Sequence, residues 1–235
     1  MTATEKLWRG VWAGLAVAVA TVVAGVIATH HVGLPLRDPD HVAALYLGLV
    51  GVGVALLVGL DVWLRAARRA GRGRVTRAEL ASVRRERWTR GRALAAGGAL
   101  VGFYATYMAY RNLKSIVPLV RPGDNFDAPL ADLDRDLFLG HDPAELLHTL
   151  LGTGVTTHVL SAFYVAFIVF LPLTIGAALV FADDLREALL YVAAQSINWV
   201  LGAVSYFLLP SLGPIYYEPS AFAAPRTQLI DWAAT

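Results

Sequence analysis

The chain has 235 residues, of which 57% are hydrophobic and only 16% are charged. Its mean hydropathy is +0.54, and an ordinary soluble domain would carry more charge, about 25%. Because there is no cysteine, disulfides and thiolate metal sites are excluded as well.

Five long apolar segments follow one another along the sequence. They cover approximately residues 8–28, 42–64, 93–110, 155–181 and 185–209. A helix needs about 20 such residues to cross a hydrocarbon core of about 30 Å. Backbone polar groups in lipid must be paired within the segment, and runs without polar alternation exclude a barrel. The sequence therefore predicts an all-α, polytopic membrane bundle with about five transmembrane helices.

The segment between the second and third apolar runs is strongly basic. Residues 65–92 hold eleven arginines against only Glu79 and Glu86. Positively charged loops stay in the cytoplasm. We therefore expect a multi-pass protein of the plasma membrane with a cytoplasmic N-terminus, and with residues 111–154 and the C-terminus outside the cytoplasm. Residues 1–92 would form one region, with two transmembrane helices and this cytoplasmic loop, and residues 93–235 a second.

Two interpretations of the arginines remain open. They set the orientation of the chain and do nothing else, or they also bind anionic lipid head groups. Nucleic acid is not an expected partner, because the segment lacks interleaved aromatic residues.

The segment 111–154 contains the start signal of a short helix. Asp142 is placed to cap it, Pro143 to occupy its first position and Glu145 to reach back to the cap. The leucines that follow share one face, so the pattern predicts a short interfacial helix at the outer side of the membrane.

The six histidines all fall in the predicted outer loops or close to that face. Glu145 and His148 are three residues apart on the predicted interfacial helix, a spacing that can share a metal ion. One such pair supplies too few ligands, and no HExxH motif is present. We expect no metal site and no cofactor.

Three basic residues follow the third apolar segment. Lys114 is followed after six residues by Arg121 and Pro122, and Arg111 precedes them. A lysine point charge and a planar arginine fork together can hold a phosphoryl group. The alternative is that these residues only anchor the helix end at the membrane interface.

The Lys-x6-Arg-Pro spacing resembles the phosphate-binding motif of the phosphatidic acid phosphatase type 2 superfamily. Residues 125–140 and 206–216 resemble its inositol phosphorylceramide synthase-like (inositolphosphotransferase) branch. The resemblance covers about residues 95–235 and implies a lipid phosphatase or phosphotransferase of phospholipid metabolism, acting on a lipid phosphate at the extracytoplasmic face. It implies phosphate contacts from Arg111, Lys114 and Arg121, and a head-group site lined by Asp127, Asp134 and Tyr216.

The chain departs from that superfamily in its histidines. Catalysis there uses one histidine in Pro-Ser-x-His or Ser-Gly-His and another in Arg-x5-His-x3-Asp, and neither motif occurs in these residues. We therefore assign no catalytic residue within the chain. We expect residues 93–235 to be a truncated member that releases little or no phosphate, its histidines lying in a missing C-terminal half or on a partner chain.

Two other functions are compatible with the sequence. A non-catalytic membrane accessory or interaction protein would keep the lipid-binding residues without the nucleophile. A small transporter would use the polar residues of the fifth span, Gln195, Ser196 and Asn198, although no inverted repeat is visible.

Overall fold

The computed structural model describes residues 3–38, 41–71, 73–152 and 154–219, and all regular structure in these ranges is helical. The predicted all-α fold is therefore confirmed. Within these ranges the helices are α1 Ala3–His31, α2 Val42–Ala70, α3 Arg77–Arg87, α4 Arg90–Val120, α5 Asp127–Leu137, α6 Pro143–Leu151, α7 Val155–Phe181, α8 Leu185–Leu208 and α9 Pro214–Tyr217.

Four helices of the described part are long and apolar enough to cross a membrane. Their apolar stretches are Val11–His31, Ala44–Ala70, Val155–Phe181 and Leu185–Leu208. Lipid surrounds such helices, so apolar side chains are stable on their outer faces. The chain is thus a multi-pass α-helical membrane protein.

The third predicted span, residues 93–110, lies in α4, which is not among these four. The predicted count of five is therefore approximate. Many α4 side chains are buried in the protein, among them Ala95, Phe103, Thr106 and Ala109. A helix that packs against protein along much of its length does not need the hydropathy of one surrounded by lipid.

The chain comprises two compact units. The first unit contains Met1–Ile116 and Leu171–Ala203, and the second contains Val117–Phe170 and Val204–Thr235. The end of the C-terminal tail, residues 220–235, and Arg72 lie outside the described residues.

In the first unit, small residues bring α1 and α4 close together. A Cβ placed on Gly102 would lie 3.7 Å from the Cβ of Ala18, and one placed on Gly25 would lie 3.5 Å from the Cβ of Ala109. Small residues let two helix backbones approach, and this approach gives the van der Waals contact on which helix association in lipid depends. A larger side chain at Gly25 or Gly102 would push α1 away from α4.

The polar side chains of α8 differ in burial. Ser196 is buried and donates to the carbonyl of Val192 on its own helix, at 3.1 Å. Asn198 is exposed on the surface of α8. The ring of Trp199 lies 5.1 Å from that of Tyr107 and 4.6 Å from that of Tyr110, which joins α8 to α4 through aromatic packing.

Two arginines of the basic segment close the carboxyl end of α7. Arg87 and Arg92 each donate to the carbonyl of Ala182 at 2.7 Å, and Arg92 also reaches the carbonyls of Leu179 and Val180 at 3.3 Å. The last carbonyls of a helix have no partner within it, so these guanidinium groups replace the missing donors.

A buried carboxylate on α2 pairs with one of these arginines, Arg87, and with Arg65 on its own helix. Asp61 is only 2% exposed, and its oxygens lie 2.8 Å from Nε of Arg65 and 3.5 Å from Nε of Arg87. Asp183 pairs with the same two arginines, at 2.7 and 3.4 Å, but its side chain is 83% exposed. The two aspartates therefore have the same partners and very different burial.

Replacing Asp61 by Asn should destabilise the protein by about 3–5 kcal/mol, because two guanidinium groups would lose their buried counter-ion. Asp183→Asn is the matched control and should have a much smaller effect, since solvent screens an exposed pair. Unfolding of the purified protein in detergent micelles measures both. Equal losses for the two variants would show that burial of Asp61 does not matter.

Candidate functional site

The segment predicted as an outer loop, residues 111–154, is mostly helical. It contains the last ten residues of α4, together with α5 and α6. The prediction of a loop beginning at residue 111 was wrong, because α4 continues to Val120 and accommodates Pro118 in its last turn. The acidic stretch that follows α4 forms α5, a helix that was not predicted from the sequence.

The short helix predicted after Asp142 is confirmed as α6, and its place at the outer membrane interface stays a prediction. Asp142 is its N-cap and accepts hydrogen bonds from the backbone N–H of Ala144 at 2.8 Å and of Glu145 at 3.2 Å. Pro143 occupies the first turn, and Gly152 follows the last residue with a φ of 68°. That left-handed angle favours glycine, which explains why the helix ends there.

The central feature of the second unit is the carboxylate of Asp127. It is 5% exposed and accepts hydrogen bonds from the backbone N–H of Leu212, at 3.1 Å to each oxygen, and of Gly213, at 2.9 Å. Gly213 has a φ of 97°, so a side chain there would strain the turn. The backbone N–H of Phe126 also donates to the carbonyl of Pro210 at 2.9 Å. These bonds fix the segment after α8 against the start of α5.

Arg121 closes the carboxyl end of α8 in the same unit. Its guanidinium donates to the carbonyl of Phe207 and, at 3.3 Å, to that of Leu208, while its Nε lies 2.7 Å from Asp124. Arg121 therefore satisfies carbonyls that the helix leaves without partners.

A cavity of about 220 Å³ lies in the second unit, beside Asp127. Most of its polar lining is acidic. It is lined by Asp127, Leu130, Ala131, Asp134, Asp142, Ser211, Gly213, Pro214, Tyr217 and Glu218. Carboxylates accept hydrogen bonds and repel anions, so this cavity suits hydroxyl or ammonium groups better than a phosphate.

The three residues predicted to line a head-group site have different positions. Asp127 and Asp134 both line the acidic cavity. Tyr216 is 61% exposed, and its neighbour Tyr217 occupies the lining instead. The role of all three in head-group binding stays a prediction.

A second cavity, of about 150 Å³, lies in the first unit. Its lining contains two arginines, Arg37 and Arg111, with Asp38, Met108, Asn112 and Ser115. The buried side chain of Asn112 accepts from the backbone N–H of Arg37 at 3.1 Å and donates to its carbonyl at 2.9 Å. These two bonds hold the connection between α1 and α2 against α4. We call this cavity the arginine pocket.

The charges of the arginine pocket favour an anion. Arg111 lies 3.4 Å from Asp38, the one acidic residue among the described residues that line this pocket. Arg37 is exposed and adds a second positive charge. Arg37 was not predicted as a site residue, since the short connection that contains it carries no recognisable motif.

The predicted phosphate-binding residues fall in both units. Arg111 lines the arginine pocket, and Lys114 is exposed one turn further along α4. Arg121 belongs to the second unit, where its guanidinium binds helix carbonyls. Phosphate binding by these three residues stays a prediction.

One segment comes near the second histidine motif described above. Arg135, His141 and Glu145 have the spacing Arg-x5-His-x3-Glu, with glutamate in place of aspartate. The guanidinium of Arg135 bonds Glu218 at 2.8 Å and Asp132 at 3.3 Å. Within the described ranges His141 and Glu145 are both exposed, make no side-chain hydrogen bond to one another and do not line the acidic cavity. The acid that should orient the histidine ring therefore does not do so here.

Comparison with known proteins gives one match, to a family model, within the second half of the chain. Residues 128–234 match the family model of the PAP2 superfamily. No curated protein and no solved structure matches the chain. The match and the apolar helices fit a membrane protein of the lipid phosphatase type. The matched segment begins after Arg111, Lys114 and Arg121, so the match does not depend on the Lys-x6-Arg-Pro spacing.

The hydrogen bonds to Asp127 also set its acidity. Burial alone would raise the pKa of Asp127, but the backbone N–H groups of Gly213 and Leu212 outweigh burial and hold the pKa below its ordinary value. Because the folded-state pKa is lowered, this carboxylate stabilises the turn above the unfolded-state pKa of about 3.9. The stabilisation is lost as pH falls through the lowered pKa.

Replacing Asp127 by Ala should reduce the free energy of local opening at Leu212 and Gly213 by about 1–3 kcal/mol, because two backbone N–H groups lose their acceptor. Hydrogen exchange of these two amides measures the change. Asp134→Ala is the matched control, since Asp134 lines the same cavity and makes no bond to either amide. Equal protection in wild type and Asp127→Ala would contradict the anchoring role.

Proposed function

We propose that this chain is the membrane part of a lipid phosphatase or phosphotransferase of the PAP2 superfamily, and that it binds a lipid phosphate at the extracytoplasmic face. The observation that carries the proposal is the match of residues 128–234 to that superfamily. The matched segment holds most of the acidic cavity and the Leu212–Gly213 turn bound by Asp127.

The phosphate would bind in the arginine pocket. Arg37 and Arg111 present two guanidinium groups to a volume of about 150 Å³, and guanidinium groups bind phosphate oxygens through paired N–H donors. Lys114 is one turn from Arg111 and would add a third positive charge. Arg121, whose guanidinium bonds the carbonyls of Phe207 and Leu208, would contribute chiefly by stabilising the end of α8.

The acidic cavity supports a more specific proposal about the substrate. A polyhydroxylated group such as inositol offers many hydroxyl donors to Asp127, Asp134 and Glu218. This chemistry agrees with the inositolphosphotransferase branch to which residues 125–140 and 206–216 are similar.

The reacting histidines would come from outside these 235 residues, on further chain or on a partner chain. The two histidine motifs of the superfamily are absent from the sequence, and no histidine is among the described residues that line either cavity. A bound phosphate without an attacking nucleophile is held but not transferred.

The absent motifs also support a second candidate, a non-catalytic accessory protein that only binds lipid phosphate. The DNA after codon 235 distinguishes the two. An open or frameshifted reading frame that encodes both histidine motifs favours the enzyme, and a stop codon followed by neither motif favours the accessory protein.

The purified chain in phosphatidylcholine nanodiscs should bind dioctanoyl phosphatidic acid and release no inorganic phosphate from it. Arg37→Gln and Arg111→Gln should each weaken binding about tenfold or more, because each removes a charge-assisted hydrogen bond. Isothermal titration calorimetry measures the binding, and a phosphate assay measures hydrolysis.

Arg186→Gln is the control for these variants, since Arg186 is half-buried, pairs with Asp184 and lines neither cavity. Unaltered binding in both pocket variants would contradict the arginine pocket as the phosphate site. Phosphate release above that of empty nanodiscs would contradict the absence of catalysis, and absence of any binding would contradict the proposed function itself.

The proposed orientation can be tested directly because the chain has no cysteine. In whole cells, a membrane-impermeant maleimide should label Asp136→Cys and Tyr216→Cys, whose side chains are exposed. Arg74→Cys should be labelled only after permeabilisation, because arginine-rich segments stay in the cytoplasm. The reverse pattern would place the acidic cavity on the cytoplasmic side.

A further inference from the structure

The arginines of residues 65–92 divide into two groups in the structure. Arg65, Arg69, Arg87 and Arg92 bond carboxylates or helix carbonyls. Six others are exposed, and their side chains make no hydrogen bond or ion pair within the described part of the chain. We call them the arginine surface: Arg68, Arg74, Arg77, Arg84, Arg85 and Arg90. Arg72 lies outside the described residues.

Helix α3 carries three of these arginines, Arg77, Arg84 and Arg85, and a capping box stabilises its first turn. Thr76 caps it, accepting from the N–H of Glu79 at 3.2 Å, while Glu79 accepts from the N–H of Thr76 at 2.7 Å. This reciprocal cap satisfies two backbone donors at the start of a short helix. The arginines of α3 are therefore held on a defined helical scaffold.

The inner face of α3 packs on the end of a membrane-spanning helix. Val83 is 1% exposed and lies in one apolar cluster with Val62 and Ala66 of α2, against which Leu80 also packs. Val62 and Ala66 belong to the last turns of the span Ala44–Ala70. Since the end of a span lies at the depth of the lipid head groups, α3 must lie at the membrane surface.

The hydrogen bonds of the acidic residues of α3 go to groups outside the arginine surface. Glu79 serves the cap, and Glu86 bonds Arg69 at 2.8 Å and Ser82 at 2.6 Å. Hydrogen bonds from Arg69 and then from Ser82 lower the pKa of Glu86 to about 2, so Glu86 stays ionised and paired with Arg69. Arg77 and Arg84 are seven residues, or two turns, apart and share another side of the helix.

We propose that the arginine surface binds the head groups of anionic phospholipids in the leaflet beside α3. Orientation of the chain needs an excess of positive charge but no ordered helix to carry it. Here α3 holds three cations of the arginine surface, Arg77, Arg84 and Arg85, at head-group depth, where each Lys or Arg adds to the attraction of anionic lipid. Arginine also forms paired hydrogen bonds with phosphate. Nucleic acid is the less favoured occupant, because no exposed aromatic side chain alternates with these arginines.

Selectivity for anionic lipid tests the proposal. The full chain is reconstituted in phosphatidylcholine vesicles with trace spin-labelled phosphatidylglycerol or spin-labelled phosphatidylcholine, and electron paramagnetic resonance measures the protein-associated fraction of each. We expect wild type to prefer phosphatidylglycerol about fivefold or more. Replacing Arg77, Arg84 and Arg85 together by Gln should bring this ratio near one. In roughly 0.5 M salt the wild-type ratio should also fall, because salt screens the attraction between exposed charges.

Two further variants make the result specific. A variant with Lys at the same three positions should keep most of the selectivity, since the positive charge remains. Arg186→Gln, which removes an arginine outside α3 that is paired with Asp184, should keep all of it. Unchanged selectivity in the triple Gln variant, with a wild-type melting temperature, would overturn the proposal. So would an equal loss in Arg186→Gln, or a preference of the surface for a short RNA over phosphatidylglycerol vesicles.

Discussion

Helix ends leave carbonyl groups without partners, and a carbonyl that is buried there must find a donor within the protein. In this chain arginines meet that requirement at two places, with Arg87 and Arg92 at the end of α7 and Arg121 at the end of α8. Asp127 meets the complementary requirement, accepting from the N–H groups of the turn after α8. Charged side chains thus supply hydrogen-bond partners for backbone groups in both compact units: arginines donate to carbonyls in each, and Asp127 accepts from N–H groups in the second.

This constraint changes how the basic residues must be interpreted. An arginine that bonds helix carbonyls is not free to select a ligand, so proximity in the sequence to a phosphate motif is not sufficient evidence of phosphate binding. Arg121 satisfies the motif and closes a helix, whereas Arg37 belongs to no motif and lines a cavity with Arg111. The same distinction separates Arg87 and Arg92 from the arginine surface of α3.

The sequence predicted those parts of the fold whose causes are local. Apolar length gave the spans, and Asp142 with Pro143 gave the start of α6. Helix α5 was missed because its N-cap, Phe126, makes no side-chain cap bond, and α3 was missed although Thr76 and Glu79 form a capping box. Arg37 and Asn112 are 75 residues apart, so only tertiary structure brings them together. Tyr217 replaced Tyr216 at the acidic cavity because neighbouring helical residues point about 100° apart.

Binding and chemistry are physically separable in such a protein. The bonds that shape the acidic cavity join Asp127 to the backbone of Leu212 and Gly213, and those that shape the arginine pocket join Asn112 to the backbone of Arg37. Neither set involves a histidine, so each cavity holds its form without any catalytic group. If phosphate binds in the arginine pocket as we propose, a histidine from elsewhere would need only to reach it there. Because an enzyme accelerates its reaction only through interactions that strengthen in the transition state, that late contact would carry the catalysis.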